Sequence, residues 1–317
     1  IIEDMHIGDS ISVNGACLTV IDFKQNQFSV QVIKGTENKT YLANIKENDE
    51  GITYILKGLH IRIIADSKGE DLEKVEDDFA GDKDKSFDSK MNDIIKKVIL
   101  SREQKNNQLM TRGSEEDNLK RTEKEKGLVF GRPGRILHID GDPSYMETCL
   151  KAYKQLNLNA VGIAVSEREQ PLKILSLVKE YNPDIVVLTG HDGVLKDSKG
   201  MLDLNNYRNS KYFIESVKIL RNYNSSYDEL VIFAGACQSC YESILEAGAN
   251  FASSPNRVLI HCLDPVLVCE RVAYTRIDEI VSIKDVIENT ITGIKGVGGL
   301  QTRGKYREGY PKSLYLN

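Results

Sequence analysis

Two short apolar runs that each end at a reactive side chain constrain this chain more than any other feature. Val186-Val187-Leu188-Thr189-Gly190 leads into His191, and Val231-Ile232-Phe233-Ala234-Gly235-Ala236 leads into Cys237. Neither run alternates with polar residues, so each reads as a strand buried on both faces. Such strands need helices above and below them. The sequence supplies them: expected strands at Arg135 to Ile139, Ala160 to Val165, Asp184 to Leu188, Leu230 to Ala234 and Arg257 to Ile260 alternate with expected helices at Ser144 to Leu156, Pro171 to Glu180, Ser210 to Arg221 and Ser243 to Ala247. That alternation predicts an α/β fold with a mainly parallel sheet flanked by helices, and ligand chemistry at the carboxyl ends of its strands.

Upstream the pattern changes. Residues 1–65 read as a small β-rich domain. Ser10 to Val20 alternates around Asn14-Gly15, a favourable hairpin pair, and Phe28 to Ile33 and Ile61 to Ile64 are further strand-like segments. Residues 66–131 are acidic and lysine-rich and read as a charged linker, with one amphipathic helix through Met91, Ile94, Ile95, Val98 and Ile99. The α/β domain fills 132–317. A charged fraction of 28% and a formal net charge of −5 do not favour a nucleic-acid partner, and no apolar run is long enough for a membrane span. The chain opens Ile1-Ile2-Glu3-Asp4, without methionine or basic leader, and so reads as a fragment or a processed product. Six cysteines spread over 317 residues make no disulfide scaffold and fit reduced thiols in a cytoplasm-like compartment. Cys149 and Cys269, in apolar stretches, are expected in the core.

Asp140, His191, Cys237 and His261 each close an expected strand, so a parallel sheet would gather them on one rim. His191 and Cys237 are 46 residues apart, histidine first, much like the base and nucleophile of caspase-type cysteine peptidases; the layering expected is caspase-like or flavodoxin-like. A thiol at a strand end before a helix start is placed to ionise, and His191 would take its proton and return it to the leaving amine. Backbone N–H groups of Asp192, Gly193 and Cys237 are the oxyanion candidates. Asp140, Asp142, His261 and Asp264 are the substrate-binding candidates, the acids offering charge-assisted pairing to an Arg or Lys side chain. The plainer reading of Asp142-Pro143 and Asp264-Pro265 is as ordinary turn residues. Thiol chemistry requires neither metal nor organic cofactor. Cys237-Gln238-Ser239-Cys240 is only half a zinc site, and His261-Cys262 is poor spacing for two ligands. Gly296-Val297-Gly298-Gly299 lacks a phosphate-loop ending and reads as a flexible wall beside the site. Thr302-Arg303-Gly304-Lys305 and Arg307 form a basic patch after it.

Several stretches carry a family resemblance: Leu56-Lys57-Gly58 onward to Ser67, Leu137-His138-Ile139-Asp140-Gly141-Asp142, Thr189-Gly190-His191-Asp192, Phe233 through Ser239, Ala247 through Pro255, Ile260 through Pro265, and Gly296 through Gly299. From about Leu56 to Pro311 the chain resembles the YabG family of sporulation-specific peptidases. The resemblance implies a cysteine endopeptidase of spore-forming bacteria with His191 and Cys237 as its reacting pair. Spore coat and spore-assembly proteins would be its substrates, cut after basic residues, in the cytoplasm of the sporulating cell beside the developing coat. Self-processing is also implied, with Ser101-Arg102-Glu103 and Thr111-Arg112-Gly113 as candidate sites, and a homo-oligomer is left open. The alternative is a non-catalytic spore-assembly binding domain that keeps the fold. Residues 1 to about 45, through Gly8 to Val20, instead resemble part of a riboflavin synthase lumazine-binding barrel, about half of one barrel, and no flavin chemistry is assigned to them. Asp140 to Leu188 also resembles a response-regulator receiver, but Thr189 stands where the phosphoacceptor aspartate is expected, which makes phosphorelay a poor reading.

Overall fold

The computed structural model describes residues 128–195 and 200–313, residue 89 and a helix over 91–104, and the backbone of six strands between residues 10 and 68. Of these six, β1 (Ser10–Val13), β2 (Ala16–Lys24) and β3 (Gln27–Gln31) form one antiparallel sheet. Val13 pairs with Ala16, the register that a two-residue connection gives. A second antiparallel sheet comprises β4 (Thr40–Asn48), β5 (Gly51–Gly58) and β6 (Ile64–Lys68). Ile61, expected in a strand, lies outside the described residues.

The larger unit is a sheet between two helical layers. Its short strand β7 (Phe130–Arg132) precedes β8 (Ile136–Asp140), β9 (Ala160–Ala164), β10 (Ile185–Thr189), β11 (Val231–Ala234) and β12 (Phe251–Ser253). Then come β13 (Ile280–Val281), β14 (Val297–Gly299), β15 (Thr302–Arg303) and β16 (Arg307–Gly309). The helices are α1 over 91–104, α2 (Pro143–Gln155), α3 (Gln170–Tyr181), α4 (Ser210–Tyr223), α5 (Tyr241–Glu246), α6 (Asp264–Tyr274) and α7 (Ile283–Glu288). The central sheet runs β14-β12-β11-β10-β8-β9. Strands β9, β8, β10, β11 and β12 are parallel, in the flavodoxin-like order. At the edge, β14 pairs antiparallel with β12.

The sheet is therefore mixed, and two expectations change with it. The fifth parallel strand is Phe251–Ser253, while Arg257 to Ile260 is a loop: Ser254 and Arg257 take φ of 64° and 55°, left-handed conformations that end a strand. The glycines at 298 and 299 belong to the edge strand and are not a flexible wall. A Cβ on Gly299 would fall 2.3 Å from the Asn250 carbonyl, so this close approach requires glycine.

Alternation along each strand assigns the two faces. Ile136, Ile185, Val187, Val231 and Phe233 pack with α2 and α6 through Tyr145, Tyr153, Val266 and Val272. Leu137, Ile139, Val186, Leu188, Ile232 and Ala234 pack with α3, α4 and α5 through Ile174, Phe213, Val217 and Ile244. Full burial of one such aliphatic or Phe side chain is worth roughly 1.5–3 kcal/mol, and strands apolar on both faces gain it only when both are covered.

Helix α1 belongs to the first face. Met91, Ile95 and Val98 are buried in that core. Arg102 donates to the Leu156 carbonyl at 3.1 Å, approaches Glu270 at 3.6 Å and lies over the Tyr274 ring at 3.9 Å. The amphipathic helix is thus docked on the α/β unit, as its apolar face predicts, while Arg102, a candidate cleavage site expected in an exposed linker, is anchored. Thr111-Arg112-Gly113 lies outside the described residues.

Candidate active site

Strands β10 and β11 are neighbours, with Leu188 opposite Ala234. Parallel strands lie roughly 4.8 Å apart, so the turn carrying His191 and the turn carrying Cys237 leave the sheet side by side. Asp192 clasps them together. Its carboxylate accepts from Ser239 Oγ at 2.8 Å, Ser210 Oγ at 2.5 Å, Asn209 N at 2.7 Å and Gly193 N at 2.9 Å. Ser239 Oγ accepts in turn from Ala236 N at 2.9 Å, and Ser210 Oγ from Cys240 N at 2.8 Å. Burial lifts the Asp192 carboxyl above its usual range, against the pull of these donors. Because the Gly193 N–H points at its neighbour's carboxylate, it is not open to an oxyanion in this arrangement.

Cys237 sits on a sharp turn, with Gly235 at φ 106° and Gln238 at φ 56°. Helix α5 begins only at Tyr241, so the expected helix N-terminus at the thiol is not formed. Nor is the thiol open to solvent: Cys237 is 2% exposed. The loop from Ser254 to His261 covers it as a strap. The sulfur accepts from Ile260 N at 3.3 Å and lies 3.9 Å from Ile260 O. Gln238 N donates to Val258 O and Ser254 Oγ, both at 3.1 Å. Arg257 holds the strap down, donating to Tyr207 Oη at 2.6 Å, Glu242 Oε2 at 2.5 Å and Met201 O at 3.1 Å.

His191 is held at three points. Its N–H donates to Glu167 Oε1 at 2.6 Å, its carbonyl accepts from Asn209 Nδ2 at 2.7 Å, and Nε2 lies 2.8 Å from Asp142 Oδ2. The ring also leans on Tyr145, with centroids 5.8 Å apart. Glu167 lies across Gly141 and Gly190, where a Cβ would come within 2.1 and 2.2 Å of its carboxylate; bare backbone at these two positions admits it. Sequence reading missed Glu167, Asn209, Ser210 and Ser239. A charged residue in a 3-10 turn and polar residues near helix starts carry no signal of a site.

The acidic candidates divide. Asp140 and Asp264 are fully buried. Thr189 Oγ1 donates to Asp140 Oδ2 at 2.7 Å and lies 2.7 Å from His138 Nε2. Asp264 accepts from Ile291 N, Thr292 N and Oγ1, and His261 N. Both carboxylates are enclosed by donors of the protein itself, as strand ends and helix starts demand, so neither presents an open acidic rim. Asp142 alone of the three reaches a candidate reacting group. His261 ends the strap, not a strand, and its Nδ1 accepts from Leu263 N at 3.1 Å. Cys149 and Cys269 are core residues as expected, and burial pushes the Cys269 thiol up to about 12.

Comparison with known proteins covers most of the chain. The family model described as YabG peptidase U57 matches residues 40–311, and a lumazine binding domain model matches residues 2–50. The sporulation-specific protease YabG of Bacillus subtilis (strain 168) is 47% identical over 182 residues, 57% of this chain and 63% of that protein. The chain thus spans less than two thirds of that relative's length. Riboflavin synthases of Bacillus subtilis (strain 168) and Actinobacillus pleuropneumoniae are 50% identical over 50 residues and 46% over 48, covering 16% and 15% of this chain and 23% and 22% of theirs. No solved structure matches. Among the described residues no helix is long and apolar enough to cross a membrane.

Proposed function

This chain belongs to the YabG peptidase U57 family, and on that footing we propose that it is a cysteine endopeptidase with Cys237 as nucleophile and His191 as its base. The observation that supports this best is the clasp: the two turns leave adjacent parallel strands and are joined through Asp192 and Ser239. In the proposed reaction His191 takes the proton from Cys237 Sγ, and the thiolate attacks the peptide carbonyl carbon. The tetrahedral oxyanion collapses as His191 protonates the leaving amine, giving a thioester. Water, deprotonated by His191, then releases the acid and restores the thiol. The N–H groups of Asp192 and Cys237 are the oxyanion donors of this reading, while that of Gly193 joins only after leaving Asp192. Substrate entry requires the strap at Ile260 to move off the sulfur.

The substrates proposed are spore coat and spore-assembly precursors, met in the cytoplasm of the sporulating cell beside the forming coat. Cleavage after basic residues rests on kinship, since Asp140 and Asp264 are enclosed. Residues 1–65 are proposed as a small β-rich domain; the lumazine-like stretch is its first part only, to about residue 45, and no flavin chemistry is assigned to it. The covered thiol favours a second reading, a spore-assembly binding domain without catalysis. One experiment separates the two: the full chain and its Cys237→Ala and His191→Ala variants are incubated with coat precursors and followed by intact mass. Cleavage lost in both variants supports the peptidase, while cleavage that persists in both refutes the assigned pair.

A further inference from the structure

We propose that Asp142 is the positioning residue that decides which nitrogen of His191 takes the thiol proton; this rests on the His191–Cys237 reading above. The carboxylate is braced before it meets the imidazole. Its Oδ1 accepts from Ser144 N at 3.0 Å and Ser144 Oγ at 2.7 Å, capping α2. The Asp142 N–H donates to Asp140 Oδ1 at 2.8 Å, and Asp140 is held through its other oxygen by Thr189. With Asp142 only 3% exposed, this bracing leaves Oδ2 aimed at Nε2 of His191.

A carboxylate only accepts hydrogen bonds, so the proton of the neutral ring resides on Nε2 and the lone pair on Nδ1. Nδ1 therefore receives the proton when the Cys237 S–H bond breaks and its electron pair stays on sulfur. The imidazolium formed keeps Nε2–H on Asp142, now as a charge-assisted hydrogen bond shielded from water. Asp142 stays ionised throughout and takes no proton. Glu167 and Asn209 grip the backbone of His191 and Tyr145 sets the ring's tilt, so the ring is held against turning its other edge to the carboxylate.

The test is Asp142→Asn in the full chain. Asparagine is as good an N-cap as aspartate, so α2 keeps its start. With its oxygen on Ser144, the amide presents N–H to Nε2 and drives the ring proton to Nδ1. Turnover is expected to fall by up to about 10⁴-fold, the loss known for Asp→Asn at a serine-protease triad, with KM little changed. The second readout is 15N NMR of histidine-labelled protein carrying Cys237→Ala. The chain has five histidines, and the His191 signals are those missing from His191→Gln. A switch from the Nε2–H to the Nδ1–H tautomer supports the proposal. Lost turnover with an unchanged tautomer reduces Asp142 to a structural cap and overturns it. A fully active Asp142→Asn beside an inactive His191→Ala overturns it alone, whereas an active His191→Ala overturns the parent reading as well.

Discussion

Replacing Glu270 by Gln is expected to stabilise the fold at pH 8 and to leave it nearly unchanged at pH 4. Glu270 lies on α6, is 3% exposed, and sits 3.6 Å from Arg102 of the docked α1. Burial raises its carboxyl from 4.5 to about 7, overcoming the opposing pull of Arg102 and Asn289. Below pH 4.5 the group is protonated in both folded and unfolded chains and costs nothing. Above that, the unfolded chain ionises while the folded one holds its proton until about pH 7. Stability therefore falls across this window and then levels off. Each unit is about 1.4 kcal/mol, so the loss is on the order of 3 kcal/mol. Glutamine does not ionise, and the variant escapes this loss. Urea unfolding of Cys237→Ala protein, with and without Glu270→Gln, measured from pH 4 to pH 8, reads the difference free of self-digestion. The gap between the two is expected to open between pH 4.5 and 7 in favour of glutamine. A gap that does not vary with pH would refute the reasoning that burial of Glu270 outweighs the pull of Arg102 and Asn289.

Two further predictions concern the turns around Cys237. Ser239→Ala removes both the donor to Asp192 and the acceptor for Ala236 N, each buried; a loss of about 1–3 kcal/mol in urea unfolding is expected, together with reduced peptide cleavage, and wild-type values of both would mean the clasp is idle. Arg257→Ala frees the strap from Tyr207, Glu242 and Met201. Iodoacetamide is then expected to label Cys237 several-fold faster, read by peptide mass, and an unaltered rate would show that Arg257 is no latch.

What could be read in advance was local. The strands β8, β9, β10 and β11 fall within one residue of the expected limits because their runs are mainly apolar; β8, β10 and β11 are also closed by a Gly just past the last strand residue. Strand β12 was misplaced because Phe251–Ser253 is only three residues long; pairing with β11 on one side and β14 on the other makes it a strand. Helix α6 is absent from the expected elements because Asp264-Pro265 reads as a pocket acid or a turn, although proline suits the first turn of a helix. Glycines at 298 and 299 suggest looseness, yet they allow close packing: a Cβ there would run into Tyr241 and the Asn250 carbonyl.

The amino-acid sequence by itself determined the family, the alternation of strand and helix, and the appearance of His191 and Cys237 just beyond two strand ends. Those properties depend on neighbours a few residues away: a period, a run of apolar side chains, a glycine stop. Tertiary structure decided that Asp142 meets His191, that Asp192 joins the two turns, that the strap covers the thiol and that Arg102 is anchored. Asp142 and His191 are 49 residues apart, and they meet because Thr189 pairs with Asp140 across β8 and β10. Contacts of that kind are set by strand register and helix docking, and by the need of each buried carboxylate to find donors.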